Sequence, residues 1–360
     1  MKVLVLTKYP RMGASSRLRT LQFLPLLETS GFEFTVQSLF DDTYLKNLYE
    51  NGKRSKLAIM RYYYKRLVSL LTIKNYDLIW IEYEIFPYLP AFAERMLNII
   101  GKEYIVDYDD AVFHHYDMSS NPLVRKVLSK KITTVMQKSS CVIAGNNYLI
   151  EQAKASGAKH VEWVPTVVDK FRYRAEFKQE HKTKVIGWIG SPSTQTYIVD
   201  IRKALNTISE NHSIRLLLVG ANKDIIEEFP DIDVDVVSWS ESTEAEYIRQ
   251  MDIGIMPLVN GPWEKGKCGY KLIQYMASGI PVIASPVGVN IDIIKNSNSG
   301  YLADTIDQWT ASLEGLLSSS KQREDFGSFG RASVEDTYSL QVQAPILANI
   351  LNSIHKSKIV

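Results

Sequence analysis

The 360-residue chain is poor in cysteine: Cys141 and Cys268 are its only two, far apart in sequence. They form neither a disulfide framework nor a metal-ligand spacing, which points to a reducing compartment. Apolar runs are short. The opening MKVLVLT is interrupted by Lys8 and Arg11, too early for a signal peptide, and no stretch approaches the ~20 residues that span a bilayer. The expected location is cytosolic, or peripheral on the inner face of the cell membrane. Charge of one sign is also scarce, since 42 Lys and Arg offset 40 Asp and Glu for a net +2. That excludes the basic field of a dedicated nucleic-acid binder. No G-x-G-x-x-G occurs, and Gly266-Lys267 is followed by Cys268 where a P-loop requires Ser or Thr. Dinucleotide oxidoreductases and nucleotide triphosphatases are both disfavoured. Solenoid repeats and low-complexity tracts are absent.

What is present is globular: 45% apolar and 23% charged residues. At roughly 150 residues per domain the length argues for two. Short apolar runs alternate with amphipathic segments, the pattern of parallel sheets covered on both faces by helices. The runs fall at 3–6, 34–36, 78–81, 104–106, 142–144 and 161–164, then at 185–189, 215–219, 234–237, 253–256 and 281–284. The reading is an α/β chain of two Rossmann-like, doubly wound domains facing across a cleft. Domain one is expected over 1–168, a linker over 169–183 and domain two over 184–360. The last amphipathic stretch, 332–354, could pack on either domain.

Segment 262–290 carries most of the chemistry. Leu272, Ile273, Met276 and Ala277 share one helical stripe, which Gly279 can end in a left-handed turn before a strand. Lys265, Lys267 and Lys271 then crowd the positive end of the helix dipole, which disfavours a cation by roughly 0.3–1 kcal/mol. A bound diphosphate would reverse that sign; a solvated lysine loop is the plain alternative. The loop after the first run holds Gly13, two serines, Arg17 and Arg19, suited to close backbone approach and phosphate pairing, or to a capped helix with exposed arginines. Asp107, Asp109 and Asp110, followed by His114 and His115, need hydroxyls, cations or a metal to relieve their repulsion; capping of the next helix is the structural reading. Ser191 to Thr194 follow a strand and could cradle phosphate or simply cap. Trp239 suits a nucleobase or a domain edge, and Trp263 beside Glu264 suits a sugar-facing wall or surface packing. Residues 53–71 form a basic amphipathic helix with Leu57, Met60, Tyr64, Leu67, Val68 and Leu71 as its stripe and Arg54, Arg61, Lys65 and Arg66 around it. It could lie on an anionic membrane or face its own core.

With these elements in place, the block YKLIQYMASGIPVIASPVG from Tyr270 resembles the signature of GT-B glycosyltransferases, specifically retaining glycosyltransferase family 4 (group 1). The GASSRLR run from Gly13 and VEWVPTVVD from Val161 extend the likeness over essentially the whole chain. The resemblance implies that the C-terminal domain binds a nucleotide diphosphate sugar and the N-terminal domain a saccharide or lipid-linked acceptor, with retention and without a metal or other cofactor. By that likeness Lys267 and Lys271 neutralise the leaving diphosphate, Gln274 replaces the family's ribose-binding glutamate and Glu264 is its first acidic residue. Gly13, Ser191, Thr194 and Trp239 belong to the donor site, while Arg17, Asp109, Asp110 and His114 hold acceptor or sugar hydroxyls. The chain departs from the pattern in having Gln at 274, Glu264 two positions out of register, and no Arg-Lys pair after the first C-terminal strand. Envelope or capsular polysaccharide synthesis is the implied setting. A degenerate membrane-associated subunit, or a GT-B epimerase or hydrolase, is the alternative.

Overall fold

The computed structural model describes residues 1–51, 55–175 and 180–356. Lys53 and Arg54 of the basic helix, residues 176–179 of the expected linker and residues 357–360 lie outside the described residues. The chain divides into two compact units, Met1–Thr166 with Gln343–Val360, and Val167–Val342.

The first unit is built on six strands: β1 (Lys2–Thr7), β2 (Glu33–Ser38), β3 (Leu78–Glu82), β4 (Tyr104–Tyr108), β5 (Cys141–Ala144) and β6 (Val161–Trp163). Their order is β2-β1-β3-β4-β5-β6, and every pairing is parallel. All residues of β3, β4 and β5 are buried, as expected for strands covered on both faces. The second unit repeats the architecture with β7 (Lys184–Ile189), β8 (Ile214–Val219), β9 (Asp233–Val237), β10 (Ile253–Met256), β11 (Val282–Ala284) and β12 (Gly300–Leu302). Its order is β12-β11-β10-β7-β8-β9, again all parallel. Along β7, Val185 and Ile189 enter one core layer while Ile186 and Trp188 enter the other. That period of two makes the strand a continuous apolar run.

In both sheets the strand order reverses once, beside β1 in the first and beside β7 in the second. Ligands of doubly wound sheets bind outside the carboxyl ends of the strands at that reversal. The loops after Thr7 and Glu82 in one unit, and after Ile189 and Met256 in the other, are therefore where chemistry is expected.

Three sequence expectations are corrected. The segment beginning at Asp169 is not a free linker: Val168 pairs with Ser339, and Tyr173 is buried in the core of the second unit. Domain two does not run from 184 to 360: the stretch 332–354 falls in two helices, Ser320–Asp336 and Leu340–Lys356, separated where the Val168 amide donates to the Tyr338 carbonyl (3.1 Å) and the Leu340 amide to the Val168 carbonyl (2.8 Å). Those bonds to another segment replace the helical ladder. Residues from Gln343 onward belong to the first unit.

The third correction concerns Arg66 in the basic helix, Lys56–Leu70, whose apolar stripe follows the outward-facing of its two readings. The stripe does not face the core: Leu57, Met60, Tyr64 and Leu71 are 67–77% exposed, and Leu67 and Val68 also lie on the surface. Arg66, expected among the surrounding charges, is 1% exposed. Its guanidinium donates to the carbonyls of Thr7 (2.5 Å), Gln37 (3.1 Å) and Ile85 (3.4 Å), tying together the carboxyl ends of β1 and β2 and the loop after β3. Burial lowers its pKa to about 9, with Glu82 and Glu94 opposing the shift.

Candidate functional site

In the second unit the helix Tyr270–Ala277 forms as its apolar stripe dictates. Leu272, Ile273, Met276 and Ala277 are buried, and Gly279 adopts φ +70 to turn the chain. No acidic residue lies in its first turn. Lys271 therefore sits at the positive end of the dipole, and its Nζ lies 4.4 Å from the centroid of Trp188. Among the described residues no carboxylate pairs with it. Desolvation, reinforced by the charge of Lys267, brings the ammonium down to about 7. Part of the residue's surface is still accessible, so the depression belongs to the enclosed ammonium rather than to the whole side chain. Gly190 makes room for this arrangement: a Cβ there would lie 2.2 Å from the Trp188 ring and 2.9 Å from Lys271 Nζ.

Around this ammonium gather the ends of neighbouring strands. Ser191 caps Pro192–Thr194 reciprocally with Thr194, so the hydroxyls are engaged with one another. Glu264, in the single turn Pro262–Lys265, accepts from the Tyr197 hydroxyl at 2.6 Å. Lys267 Nζ lies 5.9 Å from the Trp263 ring. At Gly220, with φ +84, a Cβ would lie 2.3 Å from the Gly190 carbonyl oxygen and 3.2 Å from Trp239 Cβ, so the tryptophan stands beside the same strand ends. Thus Ser191, Thr194, Trp239, Glu264, Lys267 and Lys271 share the carboxyl edge of this sheet. Gln274 does not take the exposed position expected of a ribose ligand. It is 1% exposed and its Nε2 donates to the Tyr173 hydroxyl at 2.8 Å.

In the first unit the acidic cluster also lies at a carboxyl edge, with much of it already engaged. Asp107 and Arg19 form a buried ion pair at 2.8 Å, which removes Arg19 from the surface and Asp107 from the candidate metal ligands. Burial still raises Asp107 to about 6 against the pull of Arg19. Asp109 and Asp110 are half-buried, and Asp109 accepts from the Tyr83 hydroxyl. Tyr83 itself has φ +60, a strained value for a bulky residue, which turns the chain back after β3. Arg17 is buried rather than exposed, donating to the Arg11 carbonyl at 3.0 Å. Gly13 is needed by its own loop: a Cβ would lie 2.5 Å from Tyr9 Cβ. His114 contacts Asp117 and Tyr148 through its two ring nitrogens, each at 2.9 Å. Among the described residues no group of three His, Cys, Asp or Glu side chains is arranged to hold a metal ion, and no helix is long and apolar enough to cross a membrane.

Residues 183–319 match the family described as Glycosyl transferases group 1. This segment is a group 1 glycosyl transferase domain. It contains the whole lysine site, from Trp188 to Lys271. Over its full length the chain is similar to sucrose-phosphate synthase from Thermosynechococcus elongatus, with a TM-score of 0.74 at 14% identity, covering 99% of this chain and 100% of that one. It is similar to HepE of Anabaena in complex with UDP-glucose (TM-score 0.71, 13% identity, 98% and 100% covered). It also resembles WaaG, a glycosyltransferase involved in lipopolysaccharide biosynthesis (TM-score 0.66, 12% identity, 97% and 99% covered). The fold is GT-B. Spore coat protein SA of Bacillus subtilis is 31% identical over 80 residues, a segment spanning 21% of this chain and 21% of that relative.

Sequence reasoning missed further residues near these strand ends. Trp188 reads as an ordinary core residue of β7, yet its ring lies beneath the Lys271 ammonium. Glu244, buried at the start of Glu244–Arg249, accepts from Tyr173 (3.0 Å) and from the Trp239 indole (2.7 Å). In the first unit, buried Glu82 accepts from the Lys8 amide (2.9 Å) and the Ser16 hydroxyl (2.6 Å), and burial raises it to about 7. A carboxylate closing β3 is a signal the sequence did offer.

Proposed function

We propose that the protein is a retaining, metal-independent glycosyltransferase that moves a sugar from a nucleotide diphosphate sugar to a saccharide or lipid-linked saccharide acceptor, in cell-envelope or capsular polysaccharide synthesis. The observation that carries this reading is the Lys271 ammonium: enclosed, lowered to about 7, and matched by no carboxylate among the described residues. Such a cation is an incomplete ion pair that a phosphate completes. HepE, a structural neighbour, binds UDP-glucose, and the group 1 match covers the lysine site. The diphosphate is the leaving group, so Lys271 and Lys267 stabilise charge that grows as the reaction proceeds. The bond from the anomeric carbon to the phosphate oxygen breaks with its electron pair on that oxygen. The acceptor oxygen bonds on the same face, and its proton passes to the departing phosphate. Asp109 and Asp110 of the first unit hold acceptor hydroxyls, and Glu264 lies on the donor-sugar side.

Peripheral attachment to an anionic membrane belongs to the same reading. Its support is the exposed stripe of Lys56–Leu70, with Lys56, Arg61 and Lys65 exposed beside it.

The test is a thermal-shift panel of nucleotides and nucleotide sugars. A ligand at 100 times its Kd adds about 2.7 kcal/mol of stability. The donor is expected to raise Tm, Lys271→Ala to abolish the rise, and turnover with that donor to need an acceptor and persist in EDTA. Nucleotide release with no acceptor would instead indicate an epimerase or hydrolase.

A further inference from the structure

Four side chains of the second unit form a directed hydrogen-bond chain. Gln274 Nε2 donates to the Tyr173 hydroxyl at 2.8 Å, Tyr173 donates to Glu244 Oε1 at 3.0 Å, and the Trp239 indole Nε1 donates to Glu244 Oε2 at 2.7 Å. Gln274, Tyr173 and Glu244 are each about 1% exposed, whereas Trp239 is 37% exposed at the carboxyl edge of the sheet. Arg172 pairs with Glu244 at 2.9 Å and approaches Glu241 at 3.7 Å. We propose that Gln274 is a positioning residue that acts through Tyr173 and Glu244 to fix the Trp239 indole as a wall for the nucleobase of the donor.

This rests on the donor reading of the second unit and assigns the residue that sets its nucleobase contact. Bond direction decides which residue can stand at 274. A phenol has a single proton, and here Glu244, which can only accept when ionised, takes it. Burial, with the nearby Tyr270 and Glu244, holds the Tyr173 phenol well above its ordinary range, so that proton stays in place. Whatever stands at 274 must therefore donate. An amide can, and an ionised glutamate cannot; two acceptors would meet across Tyr173, leaving a buried group unsatisfied at a cost of about 1–3 kcal/mol. The glutamine at 274 is thus the partner that the carboxylate at 244 requires, and its effect on nucleotide binding is transmitted to Trp239.

The test follows the Trp239 indole N–H resonance by 15N NMR in the full chain, identified by its loss in Trp239→Phe, together with the affinity for the tightest binder among UDP, GDP, dTDP and ADP. Gln274→Glu is expected to displace the resonance and weaken binding about tenfold. Tyr173→Phe, which removes only the hydroxyl, displaces it too and covers the case in which the buried Gln274→Glu does not fold. The double variant Gln274→Glu/Glu244→Gln reverses the chain, with Arg172 free to turn to Glu241, and is expected to restore most of both readouts. An unmoved resonance in Gln274→Glu and Tyr173→Phe overturns the proposal. So does weakened binding with an unmoved resonance, which would make Gln274 a direct nucleotide contact. If the wild type binds none of the four nucleotides, the donor reading fails, and the resonance alone still decides whether the chain exists.

Discussion

At the scale of single residues, Lys271 sets the pH behaviour. Its ammonium is lowered to about 7 by desolvation and Lys267, so at pH 8 the ligand-free site is mostly neutral. A diphosphate favours the charged form and pulls the pKa back up, so binding at pH 8 takes up a proton and affinity falls as pH rises above about 7. Calorimetry at pH 8 in buffers of different ionisation enthalpy is expected to show that uptake, and Lys271→Gln to remove it. Glu82 works in the other direction. Its folded pKa, raised to about 7, makes its contribution to stability fully present below its ordinary value near 4.5 and lost as pH rises through 7. Glu82→Gln keeps an oxygen for Lys8 and Ser16 without the buried charge. Urea unfolding is expected to show a gain on the order of 1–2 kcal/mol at pH 8 and little change at pH 4.5.

The lysine site was legible in the sequence because Lys267 and Lys271 are close along the chain and sit against a helix N-terminus. Trp188 was not, since a tryptophan in a buried strand carries no sign of what lies over its ring. Gln274 was misread because its partner, Tyr173, is 101 positions away. Arg19 was misread for a similar reason: Asp107, its buried ion-pair partner, belongs to a different strand.

Among elements, parallel strands announce themselves as continuous apolar runs, and eleven of the twelve strands among the described residues stand where such runs fall. β12 escaped because Gly300–Leu302 opens on a glycine, is not a continuous apolar run, and follows a Ser-Asn-Ser stretch that reads as a turn. The basic helix was legible as amphipathic but not in orientation. Periodicity gives a stripe without saying which face is inward, and one buried arginine bonded to three carbonyls reverses the usual assignment. This makes a clear prediction. Replacing Leu57, Met60 and Leu71 with serine removes mainly exposed apolar surface, so stability should change by no more than about 0.5 kcal/mol per site. Sedimentation with vesicles containing anionic phospholipid is expected to show lost binding. Charge reversal at Lys56, Arg61 and Lys65 should have the same effect. Undiminished binding in both would remove the membrane from the account.

Over the whole molecule, the chain returns to its first unit at the end: Leu347 and Leu351 are at most 1% exposed and Ile354 is 7% exposed, in a segment grouped with Met1–Thr166. Burying such side chains stabilises by about 1.5–3 kcal/mol each, which summed rivals the stability of a domain. Residues 167–342 alone are therefore expected to unfold cooperatively, while residues 1–166 without 343–356 are expected to lack a cooperative transition, as followed by circular dichroism in urea. Repetition of the doubly wound pattern made two such bodies readable from sequence. The crossing back of the last helix was not, because its apolar face suits either sheet equally well.

The central claim is that Lys271 completes its ion pair with the diphosphate of a sugar nucleotide. The most direct measurement is titration of the full chain with UDP-, GDP-, dTDP- and ADP-sugars, comparing wild type with Lys271→Ala. The account predicts one donor that binds the wild type and loses at least about tenfold in affinity in the variant, as expected for a desolvated charge pair. Equal affinity in the two proteins, or no binding of any sugar nucleotide to the wild type, would contradict it.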